Sequence, residues 1–369
     1  VYFPKTSTPR KDRAMTEDTY QRLCTALEQR PGRYRGLDIP EFYEMARELF
    51  TPEEAAVCAA QPRGLQTAER IAAAAGMDVA DAAPILERMA EKGLCFTMDK
   101  DGQTLYAPLP LVPGIFEYQF MRGTDTDRDR RIARLIRQYK EAFDAARGVP
   151  EETFPSTRVV PVDRKIEAGS RIHTYSQVLS YIERFDPIAV ATCYCRHQAR
   201  LIDESDHCGA PDEVCLQFGA GARFVIDRGM GREIDKTEAR EILERSEEAG
   251  LVHSTVNRQD IDWLCNCCSC HCVLLKTALA TTRPGLFMNS GYRPAVDADL
   301  CTACGVCVDR CPASALIPGE ADTPELDLDR CIGCGVCATG CPEEAVTLEE
   351  RPGFPPPPED RRAYKEALR

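Results

Sequence analysis

No run of about 18 apolar side chains occurs in these 369 residues, so no membrane-spanning helix is expected. Cationic excess is missing too: 46 Lys and Arg stand against 59 Asp and Glu, and a net charge of −13 repels nucleic acid and anionic lipid. No Gly-x-Gly-x-x-Gly follows a strand-like segment, and no Gly-Lys-Ser/Thr is present. Gly219-Ala220-Gly221-Ala222-Arg223 and Gly229-Met230-Gly231-Arg232 come nearest, and they read as turns flanking a strand at 223–226. With no flavin or nicotinamide fingerprint, two-electron chemistry would need a partner. Val1 to Arg13 lack the apolar stretch of a secretory signal and any twin-arginine leader, so the expected compartment is a reducing, anoxic cytoplasm.

What the chain has is cysteine, twenty in all, in three groups. Cys24, Cys58 and Cys95 sit among apolar residues and read as inert core thiols. At the other end, Cys301, Cys304, Cys307 and Cys311 precede Pro312, and Cys331, Cys334, Cys337 and Cys341 precede Pro342. The segment from about Pro294 to Leu348 resembles a bacterial-type ferredoxin with two [4Fe-4S] clusters. That resemblance implies crossed ligation, with Cys301, Cys304, Cys307 and Cys341 on one cluster and Cys331, Cys334, Cys337 and Cys311 on the other. Ala303 with Gly305, and Gly333 with Gly335, leave room for backbone N–H groups to approach sulfur. A zinc site would use four ligands rather than two interlocked sets with Cys-Pro endings. Disulfides do not suit cysteines this dense in a reducing compartment.

The middle group is less regular. Cys193 and Cys195 in Cys-Tyr-Cys-Arg-His, with Cys208 and Cys215, offer four thiols from two short loops, enough for one cubane. Cys265, Cys267, Cys268, Cys270 and Cys272 then place five thiols in eight residues, a liability to oxidation if the sulfurs were free. Nine thiols support two further clusters with one left over, four in the chain altogether. On an extended backbone, residues two apart share a face and neighbours oppose, so the two loops are expected to share ligands. The alternative is zinc, with His197, His207 or His271 completing the donor set. Arg196 is placed to offset thiolate charge, or else makes an ordinary surface salt bridge. His173 and His253 lack ligand-like spacing and read as structural. The Cys267-Cys268 pair resembles the cysteine-rich domains of heterodisulfide reductases, and the likeness ends at the pair because the remaining spacing differs.

The organisation reads as α+β and multidomain. Residues 1–14 form a flexible, tag-like arm. A winged-helix-like domain follows over 15–125: Thr51-Pro52-Glu53-Glu54 is a capping box, Thr67 to Ala75 ends at Gly76, and a third helix runs from near Asp81, keeping Pro84 in its first turn, to Gly93. Segments 94–98 and 104–107 pair through Asp101-Gly102. Nine acidic against five basic side chains over 51–110, Asp81, Glu87 and Glu91 among them, argue against a DNA dock. A bridging helix is expected over 126–150, and a mixed α/β cysteine-rich domain over 151–290, with strands near 159–162 and 188–190 and a helix opened by an Asp235/Glu238 capping box. The two-cluster ferredoxin domain takes 291–350 and a stiff proline-rich spacer and charged tail 351–369. The whole pattern resembles the multi-cluster, winged-helix and ferredoxin-domain proteins of anaerobes. The resemblance implies an electron carrier, a subunit or docking partner of an oxidoreductase in a hetero-oligomeric complex with redox partner proteins. Two other functions fit the cysteines: a reductase with a catalytic open-site cluster in the middle domain, and a redox-responsive winged-helix regulator.

Overall fold

Capping and turn chemistry set the first elements. The computed structural model describes residues 10–148, 155–162, 178–206, 208–319 and 323–367. Thr51 accepts from the Glu54 N–H while the Glu54 carboxylate takes the Thr51 N–H, so the expected capping box opens the helix Pro52–Ala60. Ala68–Ala75 closes on Gly76 in the left-handed conformation. The next helix, Val79–Glu91, starts two residues before Asp81, so Pro84 lies in its second turn, without an N–H to donate to Ala80. Strands β1 (Cys95–Lys100) and β2 (Gln103–Pro108) pair antiparallel across Asp101 and Gly102, both at positive φ.

The chain divides into two compact units. The first takes the described residues up to Phe120 together with 124–148, and the second takes Met121–Gly123 and the described residues from 155 onward. The expected bridging helix is part of the first unit over Asp127–Arg147, where Tyr139 and Phe143 meet Tyr34 and Phe42 edge-on. Of the expected flexible arm, residues 10–14 belong to the helix Arg10–Glu28, which no glycine or proline interrupts, and residues 1–9 lie outside the described residues. Cys24, Cys58 and Cys95 are buried in this unit.

The second unit is built on an antiparallel sheet of six strands: β3 (Thr157–Val159), β4 (Ile188–Thr192), β5 (Glu213–Phe218), β6 (Arg232–Ile234), β7 (Val252–Val256) and β8 (Trp263–Cys267), in the order β3-β7-β8-β5-β4-β6. Val214, Leu216, Phe218 and Leu264 point from one face into a core with Ala239, Ile242 and Leu243 of the helix Lys236–Glu248. The intervening Cys215, Cys265 and Cys267 therefore point from the other face. Two expectations change here. Residues 223–226 are helical, within Ala220–Asp227, because Gly219 turns the chain at φ +53° and Ala222, Phe224 and Val225 bury against β4 and β5. A short apolar run cannot by its periodicity separate a strand from a buried helix. At Asp235 only half the capping box forms, since the Glu238 carboxylate pairs with Arg232 at 2.6 Å instead.

After this sheet come β9 (Tyr292–Val296), β10 (Leu316–Pro318), β11 (Pro324–Leu326) and β12 (Val346–Glu350), with β9 paired to β12 and β10 to β11. Arg310 joins this segment to the sheet domain, donating to the carbonyls of Glu247 at 2.9 Å and Glu248 at 3.3 Å, at the C-terminal end of a helix where a cation is favoured. The proline-rich spacer lies against the sheet domain: Gln259 N–H bonds Pro358 O at 2.8 Å, and Tyr364 OH donates to Ser156 O at 3.0 Å. The fold is thus α+β, helices with several separate sheets. Among the described residues no helix is long and apolar enough to cross a membrane.

Candidate metal centres

The two Cys-x-x-Cys-x-x-Cys runs take the same backbone path. Ala303 and Gly333 occupy equivalent positions at φ +56° and +68°, Gly305 and Gly335 at +77° and +84°, and Ser314 and Glu344 at +48° and +52°. The short helices Val306–Asp309 and Val336–Thr339 follow directly. Two cavities result, and they sort the eight thiols crosswise. One, of about 260 Å³, is lined by Cys301, Cys304, Cys307 and Cys341, with Cys304 exposed. The other, of about 20 Å³, is lined by Cys311, Cys331, Cys334 and Cys337, three of them buried. The first is an outer site and the second an inner one.

Backbone N–H groups do approach sulfur here. Gly333 bonds to Cys331, Val336 to Cys334, and Ala315 N–H to Cys311 Sγ at 3.2 Å. Burial pushes Cys331 up to about 11 and Cys334 up to about 12. Thiolates in this interior are costly unless positive charge lies among them, which is what iron would supply.

In the sheet domain the structure divides nine thiols six and three. Cys193 caps the helix Tyr194–Ile202 and Cys195 sits in its first turn. Cys215 and Cys265 are cross-strand neighbours, one step beyond the Leu216↔Leu264 pair of β5 and β8. Cys267 Sγ lies 3.2 Å from Cys272 Sγ, and Cys272 takes the N–H of Leu275 at the start of the helix Val273–Leu279. Hydrogen bonding to Cys195 and Cys267, then the N–H groups of Leu275 and Leu274, holds Cys272 well below the usual thiol range. Burial pushes Cys193 up to about 12. Beside these six, Ser254 faces Cys265 across β7 and β8, and its fully buried hydroxyl has no hydrogen-bond partner. An orphaned donor next to thiols fits a bound sulfur-rich group that would accept from it.

Cys208 does not join Cys193, Cys195 and Cys215, contrary to the four-thiol grouping of the two loops. It meets Cys268, Cys270 and His271, whose ligand atoms all lie within 4.8 Å of one another. Residues 265 and 267 face one way on β8 and the chain turns after Cys267, so adjacent Cys267 and Cys268 go to different groups. For Cys268, burial acts upward, but hydrogen bonds from Cys270, His271 and Arg196 outweigh it and bring the thiol to about 7.

Arg196 stands between the two groups. It is 2 % exposed and bonds Pro211 O at 2.7 Å, Asn266 O at 3.2 Å and the Cys268 sulfur, while its Nε also makes a long ion pair with the Asp212 carboxylate at 3.9 Å. Burial acts to lower its pKa, but Cys193 and Cys268 raise it further, so it remains a cation among thiols. His253 is buried against Asn266 at 2.6 Å and Glu247 at 3.4 Å, a structural pairing. His197 is buried on the helix Tyr194–Ile202, outside the His271 group. His173 and His207 lie outside the described residues. Sequence reasoning missed Asp206, 2.9 Å from His271 Nε2, and Ser254, because neither carries a local spacing signal.

The groups are joined by packing. Cys267 and Cys272 lie in one apolar cluster with Cys331, Cys334, Ile332 and Val336, and Cys311 at its edge also borders the cluster of Cys307, Cys337 and Cys341. No curated protein and no solved structure matches the chain. Residues 293–342 match the family model of the 4Fe-4S dicluster domain, so [4Fe-4S] clusters are implied in that segment and its chemistry is that of iron-sulfur electron transfer.

Proposed function

We propose that this protein is an electron carrier of an oxidoreductase system, passing single electrons between the outer ferredoxin site, the inner one and a third centre held by the buried thiols of the sheet domain. The observation that carries this reading is the shared apolar core of Cys265, Cys267 and Cys272 with Cys311, Cys331 and Cys334. Iron-sulfur clusters bound there would supply one-electron redox steps at potentials set by their surroundings. The chain's own contribution is to hold the thiols, keep water out, and aim N–H groups and Arg196 at sulfur.

Cys301, Cys304, Cys307 and Cys341 would hold the outer cluster, and Cys331, Cys334, Cys337 and Cys311 the inner one. Four of Cys193, Cys195, Cys215, Cys265, Cys267 and Cys272 would hold the third. Counting thiols alone gives four clusters, whereas a division into six and three favours three. Exposed Cys304 and Leu300 mark the outer site as the place where a redox partner docks, and the acidic chain favours a partner with a basic patch. The first unit, winged-helix-like in its order of elements, would be a protein-contact module, since its acidic helix Val79–Glu91 does not suit phosphate.

The test is anaerobic purification of the full chain, metal analysis and electron paramagnetic resonance of the reduced protein. Interacting spins from the ferredoxin pair and a third centre are expected, with Cys272→Ser removing only the third. A protein whose metal is mainly zinc, or whose spectrum Cys272→Ser leaves unchanged, would refute the reading.

A further inference from the structure

Cys208, Cys268, Cys270 and His271 are left over by the electron path, and their arrangement differs from that of the other thiols. We propose that they form a separate mononuclear zinc site with three thiolates and one imidazole. Around a single zinc ion with Zn–S of about 2.3 Å, tetrahedral ligands lie roughly 3.8 Å apart. Cys268 Sγ is 3.6 Å from His271 Nδ1, and all four ligand atoms fall within 4.8 Å of one another. The donor set separates this group from the others, since three thiolates with one imidazole are a structural zinc set whereas a [4Fe-4S] cluster takes four thiolates.

The second observation is the imidazole's other nitrogen. His271 Nε2 lies 2.9 Å from the Asp206 carboxylate, which fixes the ring so that Nδ1 faces Cys268. A carboxylate behind a ligating histidine is the usual outer partner of protein-bound zinc. Zinc has no redox chemistry, so the site's work is structural: it ties the loop bearing Cys208 to the segment 268–271, directly beside Cys267 of the buried thiol group. The proposal rests on the six-and-three division used above, and not on electron transfer itself.

The full chain, purified anaerobically, should hold one zinc together with about twelve irons, three cubanes' worth. Zinc-edge X-ray absorption should show three sulfurs at about 2.3 Å and one nitrogen at about 2.0–2.1 Å. Cys208→Ser and His271→Ala should release the zinc and leave the iron, while His271→Cys keeps it with four sulfurs. Asp206→Asn should weaken zinc by about 10–100-fold in chelator competition. Because the wild-type absorption spectrum decides the ligand set, a variant that fails to fold does not rescue the idea. Zinc absent, a shell other than three sulfurs and one nitrogen, or iron lost in place of zinc from Cys208→Ser overturns it. Zinc in that shell with no iron supports this site and counts against the electron-transfer reading.

Discussion

Gly333 and Gly305 occupy neighbouring steps of the same repeated loop, yet alanine should affect them very differently. At Gly333, φ is +68°, and an added Cβ would stand 2.3 Å from Ser290 Oγ and 2.3 Å from the Tyr292 carbonyl oxygen. Ser290 cannot swing away cheaply, because its hydroxyl donates to Gly333 O at 2.6 Å and accepts the Tyr292 N–H at 3.1 Å. Tyr292 is buried and begins β9, so its carbonyl is held as well. Left-handed φ costs an L residue about 1–2 kcal/mol, and overpacking adds about 1–3 kcal/mol. Gly333→Ala should therefore destabilise by roughly 2–5 kcal/mol, the sum of those two costs. At Gly305, φ is +77° with nothing within 4 Å of the added carbon, so only the first cost applies. Ala303, at φ +56° in the position equivalent to Gly333, shows that this loop accepts a methyl group where space allows.

The assay is anaerobic iron release to a coloured chelator, which captures molecules as they open. At about 1.4 kcal/mol per tenfold, Gly333→Ala should release iron about thirtyfold faster or more when opening is at equilibrium. The Gly333 N–H also bonds to Cys331, so surviving clusters should shift to a lower potential. Equal effects of Gly305→Ala and Gly333→Ala would refute the packing argument, and a Gly333→Ala protein as stable as wild type would refute the placement of Ser290 and Tyr292.

Three further outcomes follow from the same structure. Arg196→Met removes a buried cation among thiols and should lower the potential of the sheet-domain centre, on the order of 100 mV for a unit charge a few Å away at an effective dielectric of about 20; Arg196→Lys should restore part of the shift in a redox titration. Ser254→Ala should change denaturant stability by less than about 1 kcal/mol but lower that same potential, since the lost donor would have faced sulfur rather than protein; an unchanged potential would assign the hydroxyl no such role. Arg310→Ala breaks two bonds to the end of the helix Lys236–Glu248 and should cost about 1–3 kcal/mol in denaturant unfolding, with iron content unchanged at low temperature.

The ferredoxin segment was legible because everything it needs is local. Ligand spacing, the small residues at positive φ and the closing prolines lie within one run and recur in the next, so the chain states its backbone path twice. Capping box, hairpin turn and glycine stop in the first unit were legible for the same reason. The helix Ala220–Asp227 was not, because its apolar residues suit a strand equally and only packing against β4 and β5 chooses. The capping partner of Asp235 was lost to Arg232, a competitor on a different element.

For the sheet domain the sequence by itself determined how many thiols there are, and that neighbours on a strand must point apart. Which thiols meet was decided by register. Leu216 opposite Leu264 brings Cys215 to Cys265, and a slip of one residue would send Cys265 and Cys267 into the opposite core. The turn after Cys267 and the approach of the loop bearing Cys208 then carry Cys268 and Cys270 to His271 and Asp206. No local spacing encodes a contact between residues some sixty positions apart, so that group exists only in the folded chain.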